Sequence, residues 1–102
     1  MQFDSHIDSS GLTLRLNGRL EFTDHERLRE MVAQMSRVGD GARIVVDAGE
    51  LEFIDSAGLG MLLILHEESL ERKQTFAIRG VKGGVRRSIE LARIDELMTV
   101  EP

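Results

Sequence analysis

The sequence predicts an α/β domain in which an N-terminal β-hairpin leads into alternating helices and strands, giving a mixed four- to five-stranded sheet with packed helices. Three observations carry this expectation. Apolar residues near the N-terminus alternate with polar ones, the spacing then changes to that of an amphipathic helix, and short apolar runs follow between further helical segments. At 102 residues the chain makes one domain, 1–102, long enough to bury a core without a metal or cross-link.

Residues Phe3 to Ile7 alternate loosely, and Leu12, Leu14 and Leu16 alternate with Thr13, Arg15 and Asn17. Asp8, Ser9, Ser10 and Gly11 between them have turn chemistry, so the pair reads as an antiparallel hairpin. Leu28, Met31, Val32 and Met35 then follow helical spacing, with Thr23 or Asp24 as N-cap and Gly39 beyond the end. Ile44, Val45 and Val46 form a short central strand flanked by Gly41 and by Asp47 to Glu50. A second helix opens at Ser56 and reaches about Arg72. Thr75 to Arg79 is the next strand, Val85, Ile89 and Ala92 mark a third helix, and Leu97 to Val100 supplies a last strand.

Bulk composition narrows the function. With no cysteine, disulfides, thiolate catalysis and cysteine-ligated zinc fall away, and a reducing cytoplasm fits. The net charge of -5 argues against nucleic acid as a partner, because that binding relies on Lys and Arg displacing counterions. The opening MQFDSHIDSS has neither the basic nor the apolar region of a signal peptide. The apolar run Leu59 to Leu65 is far below the roughly 20 residues that span a bilayer, so no membrane insertion is expected. His6, His25 and His66 lack metal-ligand spacing, no general base is evident for a nucleophilic serine, and no catalytic residue, cofactor or metal is assigned. Arg79, Lys82, Arg86 and Arg87 form a basic stretch that reads as a solvated loop or as a dock for an acidic partner segment.

The stretch FIDSAGLGMLLIL, residues 53 to 65, sets Asp55, Ser56, Gly58 and Gly60 at the mouth of the most apolar run. On a helical wheel Leu59, Leu62, Leu63, His66 and Leu70 share a core face, while Ala57, Met61, Ile64 and Leu65 lie on another. That second face packs under neighbouring helices or meets a partner, with Met61 the residue expected at the surface. Asp55 or Ser56 caps the helix, a contribution of about 1 kcal/mol. The same terminus also suits a phosphate, because its N–H groups and dipole favour negative charge. The two glycines weaken the helix by up to about 1 kcal/mol each and leave room for close approach by a partner.

Asp47, Leu51 and the run Phe53-Ile54-Asp55-Ser56-Ala57-Gly58-Leu59-Gly60, with Leu62, resemble the signature of the STAS family, the bacterial anti-sigma factor antagonists. The order of elements is similar to that family across nearly the whole chain. The resemblance implies a STAS-like fold and a phosphorylation switch rather than an enzyme. Ser56 would be phosphorylated by an anti-sigma factor that is itself a serine kinase, and a serine phosphatase would reverse it. The unphosphorylated form would bind the anti-sigma factor and free a sigma factor. The partner-binding residues so implied are Asp55, Ser56, Ala57, Gly58, Gly60 and Met61, with Glu21, Thr23 and Asp24 in the bordering loop. The sequence departs from the family pattern at Ala57, often a second Ser or Thr, and at Ala48-Gly49, often Leu-Ser; neither removes the acceptor hydroxyl. An alternative within the family is a non-catalytic subunit of a lipid-transport complex that binds its ATPase subunit.

Overall fold

In a computed structural model that describes every residue from Met1 to Pro102, Gln2–Asp8 (β1) and Gly11–Leu20 (β2) pair antiparallel as the alternation predicts. The turn between them is built by Asp8, whose Oδ1 accepts the N–H groups of Ser10 at 2.8 Å and Gly11 at 3.3 Å. Gly11 adopts φ +146, and a Cβ there would lie 2.0 Å from the carbonyl oxygen of Arg43, so only glycine fits. A 3₁₀ turn, Phe22–Asp24, precedes α1 (His25–Met35); β3 (Arg43–Ile54), α2 (Ser56–Glu71), β4 (Thr75–Arg79) and α3 (Gly83–Leu91) follow. A second 3₁₀ turn, Ile94–Glu96, leads to β5 (Thr99–Glu101), so the last strand starts later than Leu97. The strand order is β1-β2-β3-β4-β5, with β2 to β5 mutually parallel.

β3 runs well past the expected Ile44–Val46 because its period breaks twice. Between the pairs Arg15↔Asp47 and Asn17↔Glu50, and again between Gly18↔Leu51 and Arg19↔Phe53, β3 carries one residue more than β2. Each such bulge changes which alternate residues point inward. The buried set is accordingly Ile44, Val46 and Ala48, then Leu51, then Ile54. The residues Ala48 and Gly49, expected in a loop, lie in the strand at the first irregularity.

All three helices contribute to one cluster with one face of the sheet: Met31 and Met35 of α1, Met61, Leu62 and Leu65 of α2, Val85 and Ile89 of α3, against Leu12, Leu14, Leu16, Ile44, Val46 and Ile78. Each fully buried side chain of this size contributes about 1.5–3 kcal/mol. Val45 and Ala77 are buried too but lie outside this cluster, on the face that no helix covers. No helix of the chain is long and apolar enough to cross a membrane.

Gln74 ties the end of α1 to the start of β4. Its side chain is buried, and Nε2 donates to the carbonyl oxygens of Met35 at 3.1 Å, which the Val38 N–H also reaches at 3.4 Å, and of Val38 at 3.3 Å in the loop after the helix. Its Oε1 has no partner, so the residue carries part of the cost of its own burial. Replacing Gln74 by Met keeps volume but removes the Nε2 donor from both carbonyls; urea unfolding should show a loss of about 1–3 kcal/mol. An unchanged midpoint would show that the clamp contributes nothing net.

Candidate functional site

The site forms where α2 begins against the end of β2. Asp55, not Ser56, is the cap: its Oδ1 accepts the Gly58 N–H at 2.8 Å. Its Oδ2 accepts the Phe22 N–H at 3.2 Å, and its own N–H donates to the Leu20 carbonyl at 3.2 Å. One side chain therefore joins the start of α2 to the loop after β2. Ser56 is left as the first residue of the helix, exposed, at its positive end.

Gly58 explains how close this junction is. A Cβ at that position would lie 2.4 Å from the Leu20 carbonyl oxygen and 2.7 Å from Ile54 Cγ1. Gly58 is buried, and the room it creates is used by the chain's own β2 rather than by a partner. Gly60 differs, since a Cβ there would meet nothing within 4 Å. Its missing side chain leaves open space on the helix, next to half-buried Ala57.

The structure corrects the wheel for α2. The buried stripe is Gly58, Met61, Leu62, Leu65 and Ser69, one residue earlier than the expected Leu59, Leu62, Leu63, His66 and Leu70, which is a rotation of about 100°. Met61, expected at the surface, is only 2% exposed, while Leu70 is 61% and Ile64 43% exposed. The cause is the junction: seating Gly58 on Leu20 turns Met61 and Leu65 inward along the same helix face.

The bordering loop is similarly divided. Asp24, expected at the partner surface, is buried; its Oδ2 accepts the Glu21 N–H at 2.8 Å and its Oδ1 faces the N-terminal ammonium of Met1 at 3.0 Å. Glu21 is half-buried and Thr23 exposed. Three neighbours are not among the residues the sequence assigns to the partner surface, although Phe22 lies in the bordering loop and Phe53 in the signature run. Phe22 is 66% exposed and stacks edge-on with His25, and Phe53 is 37% exposed beneath the Arg19 guanidinium, 4.1 Å from its ring centroid. Arg19 is held there by Glu21 Oε1 at 2.9 Å. Phe22 is tied through its N–H to Asp55, next to Ser56, whereas Phe53 points outward beside buried Ile54, to the sheet face away from α2, where it meets Arg19. No helical or strand period claims Phe22, and the second bulge hides the outward position of Phe53.

A family model described as "Mlab, STAS domain" matches residues 3–100. A STAS-domain containing protein of Pseudomonas aeruginosa (strain UCBPP-PA14) is 25% identical over 93 residues, covering 91% of this chain and 90% of that protein. Among solved structures, a proposed anti-sigma factor antagonist of Thermotoga maritima has TM-score 0.86 at 20% identity, covering 98% of this chain and 86% of its own. An anti-sigma factor antagonist of Mycobacterium paratuberculosis has TM-score 0.82 at 20% identity, covering 99% and 85%. At these identities the two structures establish a shared fold.

The two glycines of the helix mouth should respond oppositely to alanine. Gly58→Ala forces α2 off β2 and should lower the unfolding free energy by about 1–3 kcal/mol, as overpacking does. Gly60→Ala should raise it by up to about 1 kcal/mol through helix propensity. Equal effects in urea unfolding would contradict the packing described. A pH dependence follows from Asp24. Burial pushes its carboxyl up, but the hydrogen bond from Glu21 and the Met1 ammonium outweigh it, so the group sits below its ordinary 3.8. A carboxyl depressed by folding stabilises the native state above its unfolded pKa and loses that contribution as pH falls through the folded value. The stability difference between the parent and Asp24→Asn should therefore stay constant from about pH 7 to 5 and shrink below about pH 4.

Proposed function

The chain belongs to the STAS domain family, and we propose that it acts as an anti-sigma factor antagonist switched by phosphorylation of Ser56. In this reading the unphosphorylated protein binds an anti-sigma factor that is also a serine kinase, and so releases a sigma factor. The kinase phosphorylates Ser56, the complex dissociates, and a serine phosphatase restores the binding form. The protein is a binding module with no catalytic part in the cycle.

The observation that carries the reading is exposed Ser56 at the first position of α2, with the cap already supplied by Asp55 and exposed Phe22 bonded to that same cap. A phosphate there adds about -1.5 to -2 charges at the positive end of a helix, where the fold tolerates it. A partner packed on Phe22 and the start of α2 would have to desolvate that charge, so binding fails while folding survives. The partner surface in this reading comprises Ser56, Ala57, Gly60, Glu21 and Thr23 with Phe22. Asp55, Asp24 and Gly58 position it, and Met61 supports α2 from within.

Incubation with the cognate kinase and ATP should place phosphate on Ser56, located by mass spectrometry. Ser56→Ala should hold the anti-sigma factor whether or not ATP is present, and Ser56→Asp should bind at least about tenfold more weakly, a cost of about 1.4 kcal/mol. If both variants bind like the parent with ATP present, Ser56 is not the switch. Binding to a transport ATPase without any phosphorylation would favour the subunit reading instead.

A further inference from the structure

β1 is an edge of the sheet, with β2 as its one neighbour and its outer row of backbone N–H and C=O groups open to pairing. Edges are commonly blunted by proline, lysine, a bulge, shortness or a charge pointing inward. The opposite edge, β5, is three residues long and is followed by Pro102. β1 has none of these devices. It runs seven residues, Gln2 to Asp8, in unbroken register with β2 and without Lys or Pro. The side chains it sends to the helix side, opposite Leu16, Leu14 and Leu12, are the uncharged Phe3, Ser5 and Ile7, and Ile7 is 43% exposed.

The order of side chains along β1 is self-complementary. On the face that no helix covers, Asp4 begins a row of alternating charge that continues through Arg15, Asp47, Arg79 and Glu101, one residue from each strand. His6, two residues on, shares that face. When a strand pairs antiparallel with its own copy, residues directly opposite lie on the same face, so the two-fold axis must pass through a residue and not between two. An axis at Asp4 sets Asp4 against Asp4, and one at His6 sets Asp4 against Asp8. An axis at Ser5 engages all seven residues and sets Asp4 against His6 of the second copy, twice, with Phe3 against its Ile7. His6 is available for this, because its Nε2 lies 3.7 Å from Asp8 Oδ2, beyond hydrogen-bond distance. On the helix side Ser5 Oγ donates to Gln34 Oε1 at 3.3 Å, with Glu30 about one turn before Gln34 and Arg37 just past the end of α1. The same axis therefore turns Glu30 of one copy toward Arg37 of the other.

We propose that two copies of this chain pair through β1, antiparallel and centred on Ser5, to make one continuous ten-stranded sheet with the helices of both copies on the same side. Each strand satisfies the open backbone row of the other, and Phe3 covers the exposed Ile7. The alternation of charge continues over the seam from Asp4 to the imidazole of the second copy, which carries a donor N–H whether neutral or protonated. A foreign strand could use the backbone groups alone; the matched order of Phe3, Asp4, His6 and Ile7 specifies a second copy. A seam of one strand is small, below the roughly 1,200 Å² of stable complexes, and each chain carries a net charge of -5, so the dimer is reversible and concentration-dependent. The inference does not rest on Ser56, since β1 includes no residue of the helix mouth.

Sedimentation velocity of the full chain from about 10 μM to about 1 mM, a range that covers weak interfaces, tests it. The mass should rise from one chain toward two, and amide hydrogen exchange in β1, but not in β5, should slow as concentration rises. His6→Asp sets an acid against Asp4 at both ends of the seam and should weaken association at least about tenfold. The swap Asp4→His/His6→Asp restores the opposed pair at unchanged composition and should return the affinity to within about threefold of the parent. Thr99→Asp adds the same charge to β5 and should leave association as it is. Circular dichroism establishes that each variant is folded. A single chain over the whole range, slowed exchange elsewhere than in β1, or a folded swap variant as weak as His6→Asp overturns the proposal.

Discussion

The Asp55 carboxylate sets the relation between α2 and the sheet, and most of what is distinctive about the molecule follows from it. One oxygen holds the Gly58 N–H and the other the Phe22 N–H, so the start of the helix and the loop after β2 are fixed to the same side chain. Gly58 then rests on the Leu20 carbonyl, and the helix can present only one stripe to the core. The position of Met61 inside, of Ser56 outside and of Phe22 beside it are consequences of that junction. An ordinary cap contributes about 1 kcal/mol; this one also determines which residues are available to the exterior.

The architecture was legible in the sequence wherever a single period ran unbroken. The hairpin is written in Leu12, Leu14 and Leu16, and α1 in Leu28, Met31, Val32 and Met35. β3 was read too short because its two bulges interrupt the alternation between Asp47 and Phe53. The rotation of α2 was misread for a different reason. From Leu59 to Leu65 every residue but Gly60 is apolar, so periodicity cannot choose a face, and the choice falls to the contact of Gly58 with Leu20. At the site, Ser56 and its neighbours stand together in one motif. Phe22 comes from a segment more than thirty residues away, and only the pairing of β2 with β3 brings it to Asp55. The charged row across the open face was equally hidden, because Asp4, Arg15, Asp47, Arg79 and Glu101 come from five segments whose register no local pattern encodes.

The residues of the helix mouth divide into those that hold the fold together and those left exposed. Asp24, Asp55 and Gly58 are engaged by the chain itself and cannot be altered without disturbing the fold. Ser56 and Thr23 are exposed, and Gly60 faces open space, so chemistry there leaves the scaffold in place. A hydroxyl placed beside a cap, rather than serving as the cap, can change its charge without unravelling the first turn of the helix.

The paired bulges of β3 also constrain how this segment can diverge. Ile44, Val46 and Ala48 face the core in one phase, Leu51 in the other, and Ile54 in the first again. Two reversals restore the original phase just before Asp55, so Ser56 reaches the helix mouth facing outward. A lineage could exchange side chains freely on the outer positions of this strand. Losing or gaining one residue between the bulges would turn Ile54 outward and carry the serine with it. Compensated length changes that preserve the phase are therefore the ones that related sequences can accumulate here.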